Sequence, residues 1–395
     1  MSALDGIRSV DPAGSVLILT EEAEPPYQRP PLSKEYLRYP EATRDLLHIK
    51  PEGWFDTQPG VRLERRQRAL VLEPASLRIT TTRGNEYEGR RILLACGGRP
   101  RTLELPGSKL EGVVSFRTVN DADRLRELMT GGGLGRVVLV GAGFIGMELA
   151  AALRIRGVEV VVVEAQRRVW PHALPPPLAA WVQEHCESRG VTFRLGASVQ
   201  GFRGEERVES VLLEGDELPC DLAIIGVGMV PNDEIARDAG LAVSDGILVD
   251  EYGETSHPWI FAAGDVARFP DPVFGGRSRI EHWEHARDHG QLVGRNMAGE
   301  NKPYTRLSHC WSEAFEIRLL AVGRPADSVR TIMRGTAGEG PCIAFGERDG
   351  RLHSAVLVDT PGELEACREL VGQRTEVAGI EERLRDAAAP LSMPG

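Results

Sequence analysis

The feature that most restricts how this chain can fold is the segment 136–164. Residues 136–140 (RVVLV) are an unbroken apolar run, and Gly141, Gly143 and Gly146 follow at GxGxxG spacing. A helix-forming stretch runs from Gly141 to Arg156 and stops at Gly157, and EVVVV over 159–163 then ends at Glu164. Two buried strands joined by a helix through such short connections form a βαβ unit, which implies a parallel, doubly wound sheet. Each glycine has its own task. Gly141 permits the tight turn, Gly143 lets the backbone approach a pyrophosphate, and Gly146 permits close helix–strand contact. The helix N-terminus offers free N–H groups and positive potential to phosphates. Glu164 lies 18 residues beyond Gly146, where a carboxylate accepts from a ribose 2′-OH and repels a 2′-phosphate. NAD is therefore favoured over NADP, with Arg167 and Arg168 working against that preference. The competing reading is a glycine turn with no ligand, and the strand–turn–helix context weighs against it.

The rest of the chain supplies similar elements. SVLILT at 15–20 reads as a buried strand, and a proline-rich loop, PPYQRPPLSKEYL, follows it. Residues 62–81 read as a small antiparallel meander, and 91–95 as a strand ended by CGGRP. Helices are expected at 120–129 and 178–189, strands at 222–225 and 259–263, and a long helix within 279–297. From Tyr304 onward the pattern shifts to short strands, turns and a last amphipathic stretch, which suggests a separate α+β tail. CGGRP and GVGMVP form a weak internal repeat, each an apolar strand breaking into glycines and a proline; chance gives the same pattern, since Gly and Pro commonly follow strands. A chain of 395 residues calls for roughly two to three domains.

Bulk properties exclude several classes. The net charge of -11 argues against general nucleic-acid binding, which needs a basic face. No apolar run is long enough to span a bilayer, and the start MSALDGIRSVDPAG has no signal-peptide pattern, so a cytoplasmic location is expected. The six cysteines are far apart with no CxxC, which suggests structural thiols rather than a zinc knuckle or a local redox dithiol.

Several further residues could carry chemistry. Gly264-Asp265 follows a strand, and its carboxylate could hold sugar hydroxyls; on its own it reads as a helix N-cap. Glu281 to Ala286 (EHWEHA) opens a helix suited to stabilising an anionic ring at its N-terminus. His282, His285 and His289 fall near one face of it, but no fitting fourth ligand is evident, so no metal is assigned. Arg29 and Lys34 sit on a loop stiffened by Pro26, Pro30 and Pro31; alone they read as a solvated charged loop. Trp311 beside Ser312 could stack on a flat ring, although core packing is the simpler reading.

Taken together, EEAEPPYQRPPLSKEYL, ILLACGGRPR, the GxGxxG unit, AIIGVGMVPN, IFAAGDVA and EHWEHA occur in the order found in FAD-dependent pyridine-nucleotide oxidoreductases. PPLSKE, KPY at 302–304 and CWSE resemble the ferredoxin/rubredoxin reductase and apoptosis-inducing factor branch. The resemblance implies an α/β fold of two interleaved Rossmann-like domains with a C-terminal α+β domain. FAD would be held by 1–107 and 231–302, NAD by 108–230, and a reductase or dimerisation-like domain would occupy 303–395. Glu21 or Glu22 would hold the adenosine ribose and Arg29 the FAD pyrophosphate. Lys34, paired with Glu148, would serve the flavin, with His282 as a third catalytic candidate. Phe144 would lie where nicotinamide approaches, and Asp265, beside Gly264, would hold the ribityl chain. Glu281, His282 and Trp311 would line the ring, and Gly228 joins the cofactor-contacting set.

The implied function is hydride transfer from NADH to FAD, with electrons passing on to a ferredoxin-like protein, a quinone or oxygen. A homodimer is also implied. The chain departs from the family pattern in starting inside the helix that would follow an FAD-binding GxGxxG. That departure supports an alternative, an NAD-binding scaffold without FAD.

Overall fold

The computed structural model describes residues 1–391. The chain opens with helix α1 (Ser2–Val10) and strand β1 (Val16–Leu19). Strand β2 (Val61–Glu64) lies parallel to β1, pairing Val16 with Val61 and Leu19 with Glu64. The sequence pattern placed Arg62 onward in the antiparallel meander. In the structure the meander starts later and comprises Ala69–Glu73, Arg78–Thr81 and Glu86–Glu88. The alternation in VRLE is the same in either setting, so only the distant β1 decides where this strand pairs.

Strand β3 (Ile92–Leu94) precedes the segment that most constrained the fold: β4 (Arg136–Val140), α2 (Phe144–Ile155) and β5 (Glu159–Glu164). Helix α2 begins at Phe144, not at Gly141 as its composition suggested. Gly141 has φ 108°, which no right-handed helix accommodates. After β6 (Leu222–Ile225) the sheet is complete, in the order Val191–Leu195, β5, β4, β6, Val113–Ser115, with every neighbouring pair parallel. The strand order reverses at β4, so the crevice at the carboxyl ends of β4 and β6 is the expected ligand position in such a sheet.

Strand β7 (Ile260–Ala262) pairs parallel with β3 and leads into a 3₁₀ turn, Gly264–Val266. Helix α3 (Trp283–Met297) follows. Glu281 was expected to open this helix, but His282 is extended (φ -117°, ψ 140°) and acts as its N-cap, so both residues precede it. The last module is the expected α+β arrangement. Strands β8 (His309–Ala314) and β9 (Ile317–Gly323) join Arg351–Val358, Cys342–Arg348 and Arg330–Arg334 in one antiparallel sheet, and helix Leu364–Gly372 follows. The two halves of the weak repeat end in strands Gly98–Pro100 and Met229–Pro231, which pair with each other.

The chain forms two compact units, one of residues 1–28, 47–99 and 229–308, the other of 29–46, 100–228 and 309–395. In the first, α1 crosses α3 at backbone contact. A Cβ on Gly6 would stand 2.2 Å from the Gln291 carbonyl oxygen, and one on Gly294 2.1 Å from that of Ala3. The core of this unit includes Ile92, Leu94, Ile260 and Phe269. In the second, Val138, Val140, Val161 and Val163 pack with Phe202 and Val211 on one face of the parallel sheet. Among the described residues no helix is long and apolar enough to cross a membrane.

Candidate functional site

In the second unit the turn between β4 and α2 shows why glycine stands at each of its three positions. A Cβ on Gly141 would lie 2.4 Å from the Gly226 carbonyl oxygen, and one on Gly146 2.0 Å from that of Gly141. These two sites are closed by backbone. Gly143 meets nothing within 4 Å, so its face of the turn is open to an approaching group. Gly143 is also the N-cap of α2 and provides no side-chain cap, leaving N–H groups of the first turn for a ligand.

Glu164 reaches back into this turn. Its Oε2 accepts from the Ala142 N–H and its Oε1 from the Gln166 N–H, both at 2.8 Å. Of the two nearby cations, Arg168 is committed to the Pro171 carbonyl oxygen, donating from Nη2 at 2.9 Å and from Nε at 3.3 Å. Phe144, the first residue of α2, lies 6.3 Å from the ring of Trp170 at 45°. Trp170 is fully buried, and the pattern of the sequence did not single it out. Its backbone N–H donates to the Ala142 carbonyl oxygen at 2.8 Å, so the main chain here braces the turn. Gly228, after β6, has φ 100°, and its carbonyl accepts from the Arg101 N–H at 2.9 Å.

The same unit joins Lys34, Glu148 and Trp311. Lys34 and Glu148 are both 3% exposed, and Lys34 Nζ lies 2.7 Å from Glu148 Oε2. The ammonium also donates to the Pro30 carbonyl at 3.3 Å and sits 4.5 Å from the centre of the Trp311 ring. The half-buried Trp311 therefore has one face turned to a cation, a favourable arrangement for indole. Two serines complete the carboxylate's partners. Ser33 Oγ donates to Oε2, and Ser312 Oγ donates to Oε1 at 2.6 Å. A buried carboxylate with three donors meets the requirement that buried charge be both paired and hydrogen-bonded. Neither serine was picked out from the sequence, although each adjoins a residue that was. Arg29 extends to the Arg117 carbonyl, donating from Nη1 at 3.0 Å.

In the first unit, a cavity of about 440 Å³ is lined by Ala23, Leu63, Glu64, Arg65 and Arg66, at the carboxyl ends of β1 and β2. Glu22, just beyond β1, accepts from the Tyr27 hydroxyl at 2.7 Å, whereas Glu21 is exposed and 3.7 Å from Arg68. Asp265 is the middle residue of the Gly264–Val266 turn, and the N-cap there is Ala263. The capping role that Asp265 suggested alone is therefore not the one it plays. Its carbonyl accepts from Arg279 Nη1 at 3.3 Å, and Arg279 also pairs with Glu281 and, at 3.2 Å, with Asp245. Arg279 thereby links two of the predicted residues, Asp265 and Glu281. His282 is half-buried at the head of α3. His285 and His289, deeper in that helix, are fully buried.

All six cysteines are unbonded and five of them are buried, in keeping with the absence of a dithiol motif. Residues 2–290 match the pyridine nucleotide-disulphide oxidoreductase family, and 309–393 match the reductase C-terminal family. A probable ferredoxin reductase, CtmF, of Castellaniella defragrans is 34% identical, covering 92% of this chain and 89% of its own. The ferredoxin–NAD(+) reductase subunit of the benzene 1,2-dioxygenase system of Pseudomonas putida is 31% identical over 94% of this chain and 91% of its own. The crystal structure of the ferredoxin reductase for the CYP199A2 system from Rhodopseudomonas palustris superposes with a TM-score of 0.93 at 32% identity, covering 99% of this chain and 95% of that one. With the glycine turn, the buried Lys34–Glu148 pair and the terminal module all in place, the chain belongs to the pyridine nucleotide-disulphide oxidoreductase family, as an FAD-dependent oxidoreductase of nicotinamide nucleotides.

Proposed function

We propose that this protein is an NADH-dependent reductase that delivers electrons to a small ferredoxin-type iron–sulfur protein. The observation that carries the nucleotide choice is Glu164, held at the lip of the glycine turn by the Ala142 and Gln166 N–H groups. A carboxylate there accepts from a 2′-hydroxyl and repels a 2′-phosphate. With Arg168 engaged by Pro171, the preference for NADH strengthens. The acceptor is proposed from the relatives, whose names are those of ferredoxin reductases. Those relatives are reductases over about nine-tenths of their length, which disfavours a scaffold role.

The residues present suit FAD at its adenosine and ring ends. The cavity between Ala23 and Arg66 stands where parallel sheets bind nucleotides, with Glu21 and Glu22 beside it for the adenosine ribose. The GxGxxG at 141–146 is that of the nicotinamide nucleotide, and Arg29 would contribute its charge to the FAD pyrophosphate. Asp265, presented by Gly264, would hold the ribityl hydroxyls, and Glu281 and His282 would line the ring. When bound, FAD supplies the exchange between the two-electron chemistry of NADH and the one-electron chemistry of the acceptor.

The chain's own side chains do the positioning. Glu148 holds the Lys34 ammonium in place at 2.7 Å, so its charge is available without reorganisation when negative charge develops nearby. Phe144 and Gly228 would flank the entering nicotinamide, and the open face at Gly143 would admit the pyrophosphate. This transfer needs geometry more than proton movement. A cytoplasmic setting and a homodimer through the terminal module complete the proposal.

Two experiments test it. The purified chain, supplied with FAD, should show a flavin absorption spectrum that anaerobic NADH bleaches, and added ferredoxin should then be reduced catalytically. A colourless chain that takes up no FAD would overturn the enzyme reading. Separately, Glu164→Gln should lower the ratio of kcat/KM for NADH over NADPH by about 10- to 100-fold, the worth of a charge-assisted hydrogen bond. An unchanged ratio would show that Glu164 does not read the ribose.

A further inference from the structure

The buried face of α3 carries two histidines that the proposed mechanism leaves unused. His285 and His289, one helical turn apart, are both 0% exposed. Their rings stack at 5.1 Å and 29°, and His285 stacks in turn on Phe269 at 4.8 Å and 18°. Tyr304 closes the cluster edge-on, 5.5 Å from His285. His285 Nδ1 lies 3.0 Å from the Ser308 hydroxyl and 3.2 Å from that of Tyr304. Burial pushes His289 down to about 4 and His285 well below the usual imidazole range, so both rings are neutral near pH 7.

His289 makes a different bond. Its Nδ1 accepts from the Gly264 N–H at 3.3 Å. A neutral imidazole that accepts at Nδ1 carries its proton on Nε2, and His289 Nε2 is buried with no hydrogen-bond partner. An unsatisfied buried donor is costly, and an aliphatic side chain would fill this core without that cost. What the imidazole gives in return is an acceptor for a backbone amide that is itself buried. Gly264 has φ 75° and starts the turn that presents Asp265.

We propose that His289 is a positioning residue: as the Nε2–H tautomer it fixes the Gly264–Asp265 turn from the core side and so sets the carboxylate that receives the flavin's ribityl chain. The inference rests on the reading of Asp265 as that receiver. It does not depend on His289 touching any cofactor.

The test compares three variants with the parent chain. His289→Leu removes the acceptor, His289→Asn places an amide oxygen close to the position of Nδ1, and Asp265→Ala removes the receiver itself. In apoprotein, the Gly264 amide should exchange with deuterium at least about tenfold faster in His289→Leu than in the parent, as expected for a buried amide losing its acceptor. His289→Asn should restore the parent rate within about threefold, a difference smaller than one hydrogen bond. Nitrogen-15 shifts of His289 in the parent should report a protonated Nε2 and a bare Nδ1. FAD affinity, followed by quenching of free-flavin fluorescence, should fall with His289→Leu and recover with His289→Asn. Equal Gly264 exchange in parent and His289→Leu, or a protonated Nδ1, would overturn the proposal even if no FAD binds. Loss of FAD affinity in Asp265→Ala but not in His289→Leu would do the same. If Asp265→Ala keeps full affinity while Gly264 exchange responds as expected, the positioning contact stands and the ribityl reading falls.

Discussion

Replacing Glu148 with alanine should remove about 3–5 kcal/mol of unfolding free energy, the usual consequence of leaving one buried ion without its partner. The expected value sits toward the upper part of that range because three donors lose their acceptor together. Ser33, Lys34 and Ser312 all point at this one carboxylate, and Lys34 would keep only the Pro30 carbonyl and the face of Trp311. Urea unfolding of the variant and the parent measures the difference. The informative companion is the double variant Lys34→Met/Glu148→Leu, which replaces the pair by apolar groups of similar size. It should unfold closer to the parent than Glu148→Ala does, yet reduce its flavin more slowly with NADH, since the fixed cation is gone. If the double variant recovers both stability and rate, the pair is merely structural.

The glycine turn supplies the second large effect, through two substitutions that look alike on paper. Gly146→Ala puts a methyl 2.0 Å from the Gly141 carbonyl oxygen. That atom is backbone, so α2 must back away from β4, with a stability loss of the order of 1–3 kcal/mol from overpacking. Gly143→Ala meets nothing within 4 Å, at a φ of -75° that any residue accepts. Its stability should stay within about 0.5 kcal/mol of the parent. Its new methyl nevertheless occupies the face through which the pyrophosphate approaches, so its dissociation constant for NADH should rise at least about tenfold, or about 1.4 kcal/mol. Thermal unfolding together with NADH titration separates the two. Unimpaired NADH binding by Gly143→Ala would place the nucleotide elsewhere.

The parts of this architecture legible in the sequence are those whose physics is local. The strand–turn–helix of 136–164 declares itself because period, glycine spacing and the terminal acid fall within one window, and the structure places Glu164 on the very turn that precedes it in the chain. Resemblance rather than pattern led to the Lys34–Glu148 pair, because nothing near Lys34 announces a partner on α2. The serines that complete it were missed for the same reason. Ser33 and Ser312 meet Glu148 across 115 and 164 residues of chain, and contacts of that span leave no periodic trace. The spacing of His285 and His289 was visible and raised the question of a metal. Their hydrogen-bond partners are Gly264 and the hydroxyls of Tyr304 and Ser308, none of which lies on the same helix. The meander was placed too early because VRLE alternates like any strand, and its parallel partner comes before the proline-rich loop.

Strand β8 has a consequence that concerns length rather than chemistry. Three successive residues turn to three different tasks: Trp311 faces the Lys34 ammonium, Ser312 holds Glu148, and Glu313 pairs with Arg38. What keeps each on its own target is the hairpin with β9, where Ala314 pairs with Ile317 across a two-residue turn that starts at Phe315, φ 54°. A slip of one residue in that pairing exchanges the two faces of the strand, and all three contacts would be lost at once. The loop length of a peripheral hairpin thus governs the electrostatic surroundings of Lys34 as strictly as any substitution within them. Insertions and deletions at residues 315–316 are a route by which related chains could retune those surroundings while every charged residue stays the same.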